Sequence, residues 1–280
     1  MSFGLGNGKP IDPAPGVVGV SKGPGCELPP LPDEAMTDPS AGRLDPRDWF
    51  ADPARPFELE IGSGKGTFLV QQAELQPSVN FLGMEWTHEF YAYAADRVRR
   101  RREADNGLSN IRLLCADATE FLHWRCPANL CHVLHLYFSD PWPKARHHKK
   151  RVVQHAFLAN AWRVLTDGSD TEPVGKSPAG ELRVVTDHDD LWAWDRDHFD
   201  RWTTPAAWAD LGIEAPPGTT TAPYTEVPFD RPESAGEGEV VGTNFERKFR
   251  REGRSFHATV LRKNAAPTPS NAPHQSESTT

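Results

Sequence analysis

Phe57-Glu-Leu-Glu-Ile-Gly-Ser-Gly-Lys-Gly66 reads as a short apolar strand running directly into a glycine-rich turn, with a helical pattern after it. Glycines at such a turn let the backbone adopt positive φ and approach a ligand closely. Three cofactor classes use this arrangement, and spacing separates them. A phosphate-cradling P-loop needs GxxxxGK followed by Ser or Thr; here Leu59 holds the first glycine position and Gly66 follows Lys65. The dinucleotide fingerprint GxGxxG needs its third glycine at position 67, which is Thr67. The chain has GxGxG at Gly62, Gly64 and Gly66, with Glu60 just ahead of the turn. That pattern fits a loop for S-adenosylmethionine, whose cationic end is attracted by a carboxylate that would repel a pyrophosphate.

Outward from this turn, short apolar runs alternate with longer helical patterns, the signature of an α/β fold with a mostly parallel sheet. The runs place strands at Phe57–Gly62, Asn80–Glu85, Asn110–Ala116, His132–Ser139 and Leu182–Asp187, and a last edge strand at Ser255–Arg262. One helix starts after Thr87 as N-cap, carries Phe90, Ala94 and Val98 on one face, and stops at Asn106-Gly107. A second apolar stripe, from Val152 to Leu165 through Phe157, Ala161 and Val164, is core. Pro- and Gly-rich composition marks residues 1–45 as a disordered extension and 264–280 as a disordered tail. It also marks 169–180 as a surface insertion and 216–239 as irregular, leaving one folded domain over 46–263.

The N-terminus has no basic and apolar leader, and the longest apolar run, Val133–Phe138, is too short for a bilayer. A cytoplasmic protein without membrane association is expected. Cys26, Cys115, Cys126 and Cys131 lack paired metal or redox spacing, and His147 and His148 have no evident third ligand, so no metal is expected. A net charge of −8 opposes nucleic-acid binding, but 15 of the 31 basic residues crowd into Arg97–Arg102, Lys144–Arg151 and Arg247–Arg254. Such blocks suggest local phosphate-binding surfaces.

Glu85 ends the second strand, where a carboxylate can accept both ribose hydroxyls of an adenosyl group; a nicotinamide enzyme would show the same residue. Asp117 offers either an acceptor for the adenine amine or an N-cap for the next helix. Phe138-Ser-Asp-Pro-Trp-Pro-Lys144 closes the fourth strand. Ligands of such sheets bind at the carboxyl ends of the strands, so Asp140 should face the donor methyl, in a turn stiffened by two prolines.

Five segments in this order carry a family resemblance: Leu59–Gly66, Phe81-Leu-Gly-Met-Glu85, Asp140-Pro-Trp-Pro-Lys-Ala-Arg-His-His-Lys-Lys-Arg151, Thr186-Asp187 and Thr243-Asn-Phe-Glu-Arg-Lys-Phe249. Together they resemble the bacterial-type tRNA (guanine-N7)-methyltransferase family from about Leu44 to Lys263. Departures are the long N-terminal extension, the 169–180 insertion, the acidic whole-chain charge and Ser139 before the key Asp. The resemblance implies a Rossmann-like class I methyltransferase, with a mostly parallel seven-stranded sheet, helices on both faces and the last strand antiparallel. It implies that Glu60, Glu85, Asp117 and Asp140, with the Gly62, Gly64 and Gly66 turn, bind S-adenosylmethionine, and that Asp140 is catalytic. Lys144, Asp187, Thr243, Asn244, Phe245 and Glu246 would contact the target nucleoside, and Arg146, His147, His148, Lys149, Lys150 and Arg151 the tRNA.

The implied reaction is methyl transfer to N7 of a guanine in the variable loop of tRNA. N7 has a free lone pair, so positioning rather than a general base should dominate. Asp187 or Glu246 would accept from the guanine N1–H and N2–H2 edge. Trp142 or Phe245 would stack on a splayed base, or else pack in the core. Two rival readings stay open: an amino-group methyltransferase, whose Asn/Asp-Pro-Pro-aromatic motif resembles Ser139–Trp142, and a non-catalytic RNA-binding protein on the same scaffold. Monomer and homodimer are equally compatible with the sequence.

Overall fold

The computed structural model describes residues 11–12, 19–21, 28–105, 107–168 and 179–267. Its strands are β1 (Gly19–Ser21), β2 (Phe57–Ile61), β3 (Asn80–Glu85), β4 (Ile111–Cys115), β5 (Val133–Tyr137), β6 (Glu181–Thr186), β7 (Tyr224–Val227) and β8 (His257–Lys263). The α-helices are α1 (Thr67–Leu75), α2 (His88–Asp105), α3 (Ala118–Trp124), α4 (His155–Val164), α5 (Asp189–Trp202) and α6 (Asn244–Arg251). One sheet runs in the order β1-β4-β3-β2-β5-β6-β8-β7. All neighbours pair in parallel except β8, which is antiparallel to both β6 and β7. This is the expected doubly wound architecture with its last strand reversed.

Strand alternation divides the core. Phe57, Leu59 and Ile61 on β2, Leu134 and Leu136 on β5, and Leu182 and Val184 on β6 pack with Phe121, Phe157, Ala161, Phe199 and Trp202 of α3, α4 and α5. A second cluster joins Phe81, Ile111 and Leu113 of the sheet to Leu69 and Ala73 of α1 and to Tyr91, Ala94, Ala95 and Val98 of α2. Phe90, expected on that stripe, is half-buried, and Tyr91 takes its place in the core. Parallel strands flanked by helices on both faces leave the strand tips as the open edge where loops can gather a ligand.

Three readings of the sequence change here. The sheet has eight strands, because Gly19–Ser21 pairs with Leu113–Cys115 along the outer edge of β4. The domain also starts before residue 46. Short 3-10 turns occupy Asp33–Met36 and Pro39–Gly42, Leu28 and Ala35 are buried, and the Arg125 side chain donates to Pro29 O at 2.8 Å. β7 falls within the stretch read as irregular; it is a four-residue edge strand with exposed Thr225 and Glu226, so it lacks an apolar period. The tail from 268 onward, the insertion over 169–178, Asn106 and Cys26 lie outside the described residues.

The first basic block is also corrected. On α2, Arg99 pairs with Asp96 and Glu103, Arg100 with Asp96, and Arg101 with Glu74. Arg102 donates to Leu108 O and Ile111 O, closing the helix C-terminus against β4. Arg97 reaches Lys65 O and Thr67 Oγ1. These arginines stitch the fold instead of presenting a phosphate surface. Among the described residues no helix is long and apolar enough to cross a membrane.

Candidate active site

The glycine turn leaves β2 with Gly62 at φ 72°, Gly64 at φ 53° and Gly66 at φ 67°, all in the left-handed region that a Cβ disfavours. Gly62 N–H and Ser63 N–H both donate to Met84 O, at 2.8 and 2.9 Å, which folds the turn over the end of β3. The Glu85 carboxylate then accepts from Gly64 N–H and Thr87 N–H, each at 2.8 Å. Glu85 thereby fixes the loop that follows β2 and the entry to α2 at once.

Glu60 and Glu85 are buried, at 4% and 9% exposure, and Asp140 is exposed at the tip of β5. Glu60 Oε2 has no hydrogen-bond partner among the described residues. Burial, and then the neighbouring Glu85, push the Glu60 carboxyl well above its ordinary pKa. Burial also raises Glu85; hydrogen bonds from Thr87 and Gly64 oppose it, and the charge of Asp140 adds to it. Carboxyl groups near three adjacent strand tips are therefore coupled, Glu60 with Glu85 and Glu85 with Asp140. A dinucleotide pyrophosphate would be repelled here, whereas a cationic ligand would relieve the repulsion. Asp117 takes the capping role: it accepts from Thr119 N–H at 2.8 Å and Glu120 N–H at 3.3 Å, starting α3.

Asp140 sits between two non-glycine residues with left-handed backbone, Phe138 at φ 55° and Trp142 at φ 42°. Such strain persists where the surroundings enforce it and gathers at functional sites. Trp142 is half-buried, with Lys150 Nζ 4.6 Å from its ring centroid and His147 edge-on at 5.8 Å, so it belongs to the surface layer and not to the core. After it, Lys144 leads into a 3-10 helix at Ala145–Lys150 on which Arg146, Lys149 and Lys150 are exposed and His147 and His148 half-buried. Arg151 is different. Its side chain is buried, donates through Nε to Pro141 O at 2.9 Å and pairs with Asp190 on α5. Arg151, expected among the RNA contacts, is thus placed inside the protein by the structure, with Pro141 and Asp190 as its partners.

Thr243–Glu246 is brought across the glycine turn. Asn244 donates to Thr67 Oγ1 at 3.0 Å, and the half-exposed Phe245 ring lies 3.9 Å from where a Cβ on Gly64 would stand. Thr243 caps α6 by accepting from Glu246 N–H at 3.0 Å. Glu246 is fully buried and accepts from Val240, Val241 and Gly242 N–H and from Arg250. Glu246 and Thr243, expected at the target base, are thus engaged in building the turn into α6. Asp187, at the tip of β6, pairs with Arg254. In the third basic block Arg247 and Arg250 are likewise paired, with Glu239 and Glu246, while Lys248 and Arg251 face outward.

Sequence reading gave Thr67 no contact and Thr87 only a helix-capping role, whereas Arg97 and Asn244 converge on Thr67 and Thr87 N–H donates to Glu85. Their signal was position alone, one residue past the glycine turn and two past the strand-end acid. Among the described residues no cluster of three or more metal-ligating side chains occurs, and Cys126 and Cys131 are buried free thiols, with burial pushing Cys126 up to about 12.

Over residues 54–258 the sequence matches a family described as "Putative methyltransferase". A tRNA (guanine-N(7)-)-methyltransferase from Nitrobacter hamburgensis is 36% identical over 171 residues, covering 61% of this chain and 60% of that protein. One from Streptococcus suis is 31% identical over 173 residues, covering 61% of this chain and 74% of that protein. This chain belongs to the tRNA (guanine-N7)-methyltransferase family. Its match thus spans between about three fifths and three quarters of these two relatives' lengths. Among solved structures, one titled as an antibiotic-related methyltransferase aligns with a TM-score of 0.46 at 12% identity, over 85% of this chain and 97% of that one. Within the family frame, the residues on the motifs quoted above divide into a carboxylate group, a surface-facing basic helix and a set of internal clamps.

Two expected outcomes follow for the scaffold. Gly66 caps α1 with left-handed backbone, and a Cβ there would meet Ala94 Cβ at 3.2 Å. Gly66→Ala should lower the unfolding free energy by about 1–2 kcal/mol in urea titrations. For Glu246, burial raises the carboxyl pKa, but hydrogen bonds from Val240, Val241, Arg250 and Gly242 outweigh it and hold the group below its ordinary value. Its stabilisation is therefore full above the unfolded Glu value of about 4.3 and is lost as pH falls through the lower folded value. Glu246→Gln should cost about 2 kcal/mol near pH 7, with the gap from wild type closing in acid.

Proposed function

We propose that this chain transfers the methyl group of S-adenosylmethionine to N7 of a guanine in the variable loop of tRNA, forming N7-methylguanosine. The observation that carries the reading is the meeting of Glu60, Glu85 and Asp140 at adjacent strand tips, with an unpartnered buried carboxylate oxygen, beside the exposed basic helix Ala145–Lys150. S-adenosylmethionine supplies an electrophilic methyl group on a cationic sulfur. Glu60 and Glu85 would hold the donor, with Asp117 beside them and the Gly62–Gly66 turn giving close backbone approach.

Because N7 carries an unprotonated in-plane lone pair, no side chain has to remove a proton before attack. The work of the protein is alignment at near-attack distance, which can supply several orders of magnitude of rate. Asp140 is placed to stabilise the positive charge that develops on the purine. Asp187, with Arg254 as its partner, is the acceptor left for the guanine N1–H and N2–H2 edge now that Glu246 is spent. Phe245, half-exposed over the turn, offers a stacking surface for a splayed base. Lys144, Arg146, Lys149 and Lys150 would meet the phosphates, with His147 and His148 between them.

Incubation of the purified protein with labelled donor and tRNA, followed by digestion to nucleosides, should yield label in N7-methylguanosine. Label on an exocyclic amine, or none, would sink the reading. Asp140→Ala should lower kcat by about 10²-fold or more with donor affinity largely kept; wild-type turnover would remove Asp140 from the chemistry. Replacing Arg146, Lys149 and Lys150 together by Ala should weaken tRNA binding and lower the slope of log K against log salt by about 2. An unchanged slope would place the RNA elsewhere.

A further inference from the structure

The Asp140 turn is strained on both sides and poor in backbone donors. Phe138 and Trp142 are left-handed, and Pro141 and Pro143 have no N–H. Phe138 N–H is tied to Val185 O at 2.8 Å, and beyond the turn His147 N–H donates to Lys144 O at 2.7 Å. Between these two points the Pro141 carbonyl accepts from Arg151 Nε at 2.9 Å.

Arg151 is only 2% exposed. Its Nη1 lies 3.4 Å from Asp190 O and its Nη2 bonds the Asp190 carboxylate, both in the first turn of α5. The guanidinium also lies over the Trp194 ring, 5.3 Å from its centroid. Its own backbone is held in turn, since Gln154 Nε2 donates to Lys149 O and Arg151 O, each at 2.8 Å. One buried cation thus joins the loop after β5, which bears Asp140, to the start of α5, three residues beyond Asp187 at the tip of β6. A planar guanidinium can bond the carbonyl on one side and the carboxylate on the other at the same time; a lysine ammonium, a point charge on a flexible stem, cannot bridge them with the same geometry.

We infer that Arg151 is the positioning residue that clamps the strained Asp140 turn to the N-terminus of α5 and so sets the spacing between Asp140 and Asp187. The inference rests on the methyl-transfer reading for its catalytic consequence and on geometry alone for the clamp.

Arg151→Lys and Asp190→Asn test it in the full chain, with circular dichroism and thermal melting to verify folding. Arg151→Lys should lower kcat by about tenfold to a hundredfold, the scale expected when reacting groups shift by an ångström. Its KM for tRNA and Kd for S-adenosylmethionine should stay within about twofold of wild type, and amide hydrogen exchange across residues 138–150 should quicken. Asp190→Asn, which removes one anchor of the guanidinium at an exposed carboxylate, should shift kcat and exchange in the same direction by less. Unchanged kcat and exchange in folded Arg151→Lys would overturn the clamp, as would a raised KM for tRNA with kcat kept, which would make Arg151 an RNA contact. Should Arg151→Lys fail to fold, unchanged kcat and exchange in Asp190→Asn would overturn it instead. A wild-type protein that forms no N7-methylguanosine would defeat the functional reading, while the exchange measurement, needing no turnover, still decides the clamp.

Discussion

The Glu85 carboxylate, bonded to Gly64 N–H on one side and Thr87 N–H on the other, is the interaction on which the site depends. It draws the turn after β2 towards the tip of β3 and, in doing so, keeps a second carboxyl group beside Glu60 and coupled to Asp140. Burying like charges together costs free energy unless protons or a cation relieve it. The protein accepts that cost because its parallel strands end at one edge and place successive C-terminal residues within a few ångströms of each other. A cationic ligand held there would relieve the repulsion between these carboxyl groups.

The charge distribution resolves the conflict between a net charge of −8 and an anionic partner. Arginines on α2 and near α6 are largely paired with carboxylates or spent on carbonyls, and they contribute little to an external field. Lys144, Arg146, Lys149 and Lys150 are exposed together on one short helix and its cap, with Lys248 and Arg251 outward on α6. An RNA chain responds to the local potential within a Debye length, about 10 Å at moderate salt, and not to the sum over the molecule.

Periodicity made the sheet readable. Asn80–Glu85 was placed to the residue, and β2, β4, β5, β6 and β8 lie within a residue or two of their apolar runs, because buried parallel strands need continuous apolar sequence. The glycine positions were readable for the same kind of reason, since GxGxG is a backbone requirement met as three positive φ values. What spacing could not convey is where a polar side chain spends its hydrogen bonds. Arg151 and Lys150 are neighbours in a basic run, yet one is buried under Pro141 and the other rests on the Trp142 ring at the surface. Glu246 has the composition of a base reader and the position of a clamp for three backbone N–H groups. β1 and β7 escaped because edge strands of three and four residues leave no pattern longer than a turn.

The second face of the central strands is polar where an apolar layer would be cheaper. Glu58 and Glu60 on β2 and His135 and Tyr137 on β5 turn away from the main core, under Phe68 of α1, whose ring lies 4.9 Å from that of His135 and 5.0 Å from that of Tyr137. His135 spans this layer, with Nε2 3.0 Å from Glu58 Oε2 and Nδ1 2.8 Å from the Tyr137 hydroxyl. With its proton on Nε2 the imidazole donates to the carboxylate and accepts from the phenol, so both ring nitrogens are satisfied and the pair of strands is locked in register. Glu60 lies two residues beyond Glu58 on β2, and its buried Oε2 has no hydrogen-bond partner among the described residues. The layer is thus hydrogen-bonded at Glu58, His135 and Tyr137, while buried oxygens of Glu60 and Ser63 beside the glycine turn have no hydrogen-bond partner among the described residues. In the methyl-transfer reading proposed above, these oxygens at the tip of β2 are acceptors that a bound donor would meet.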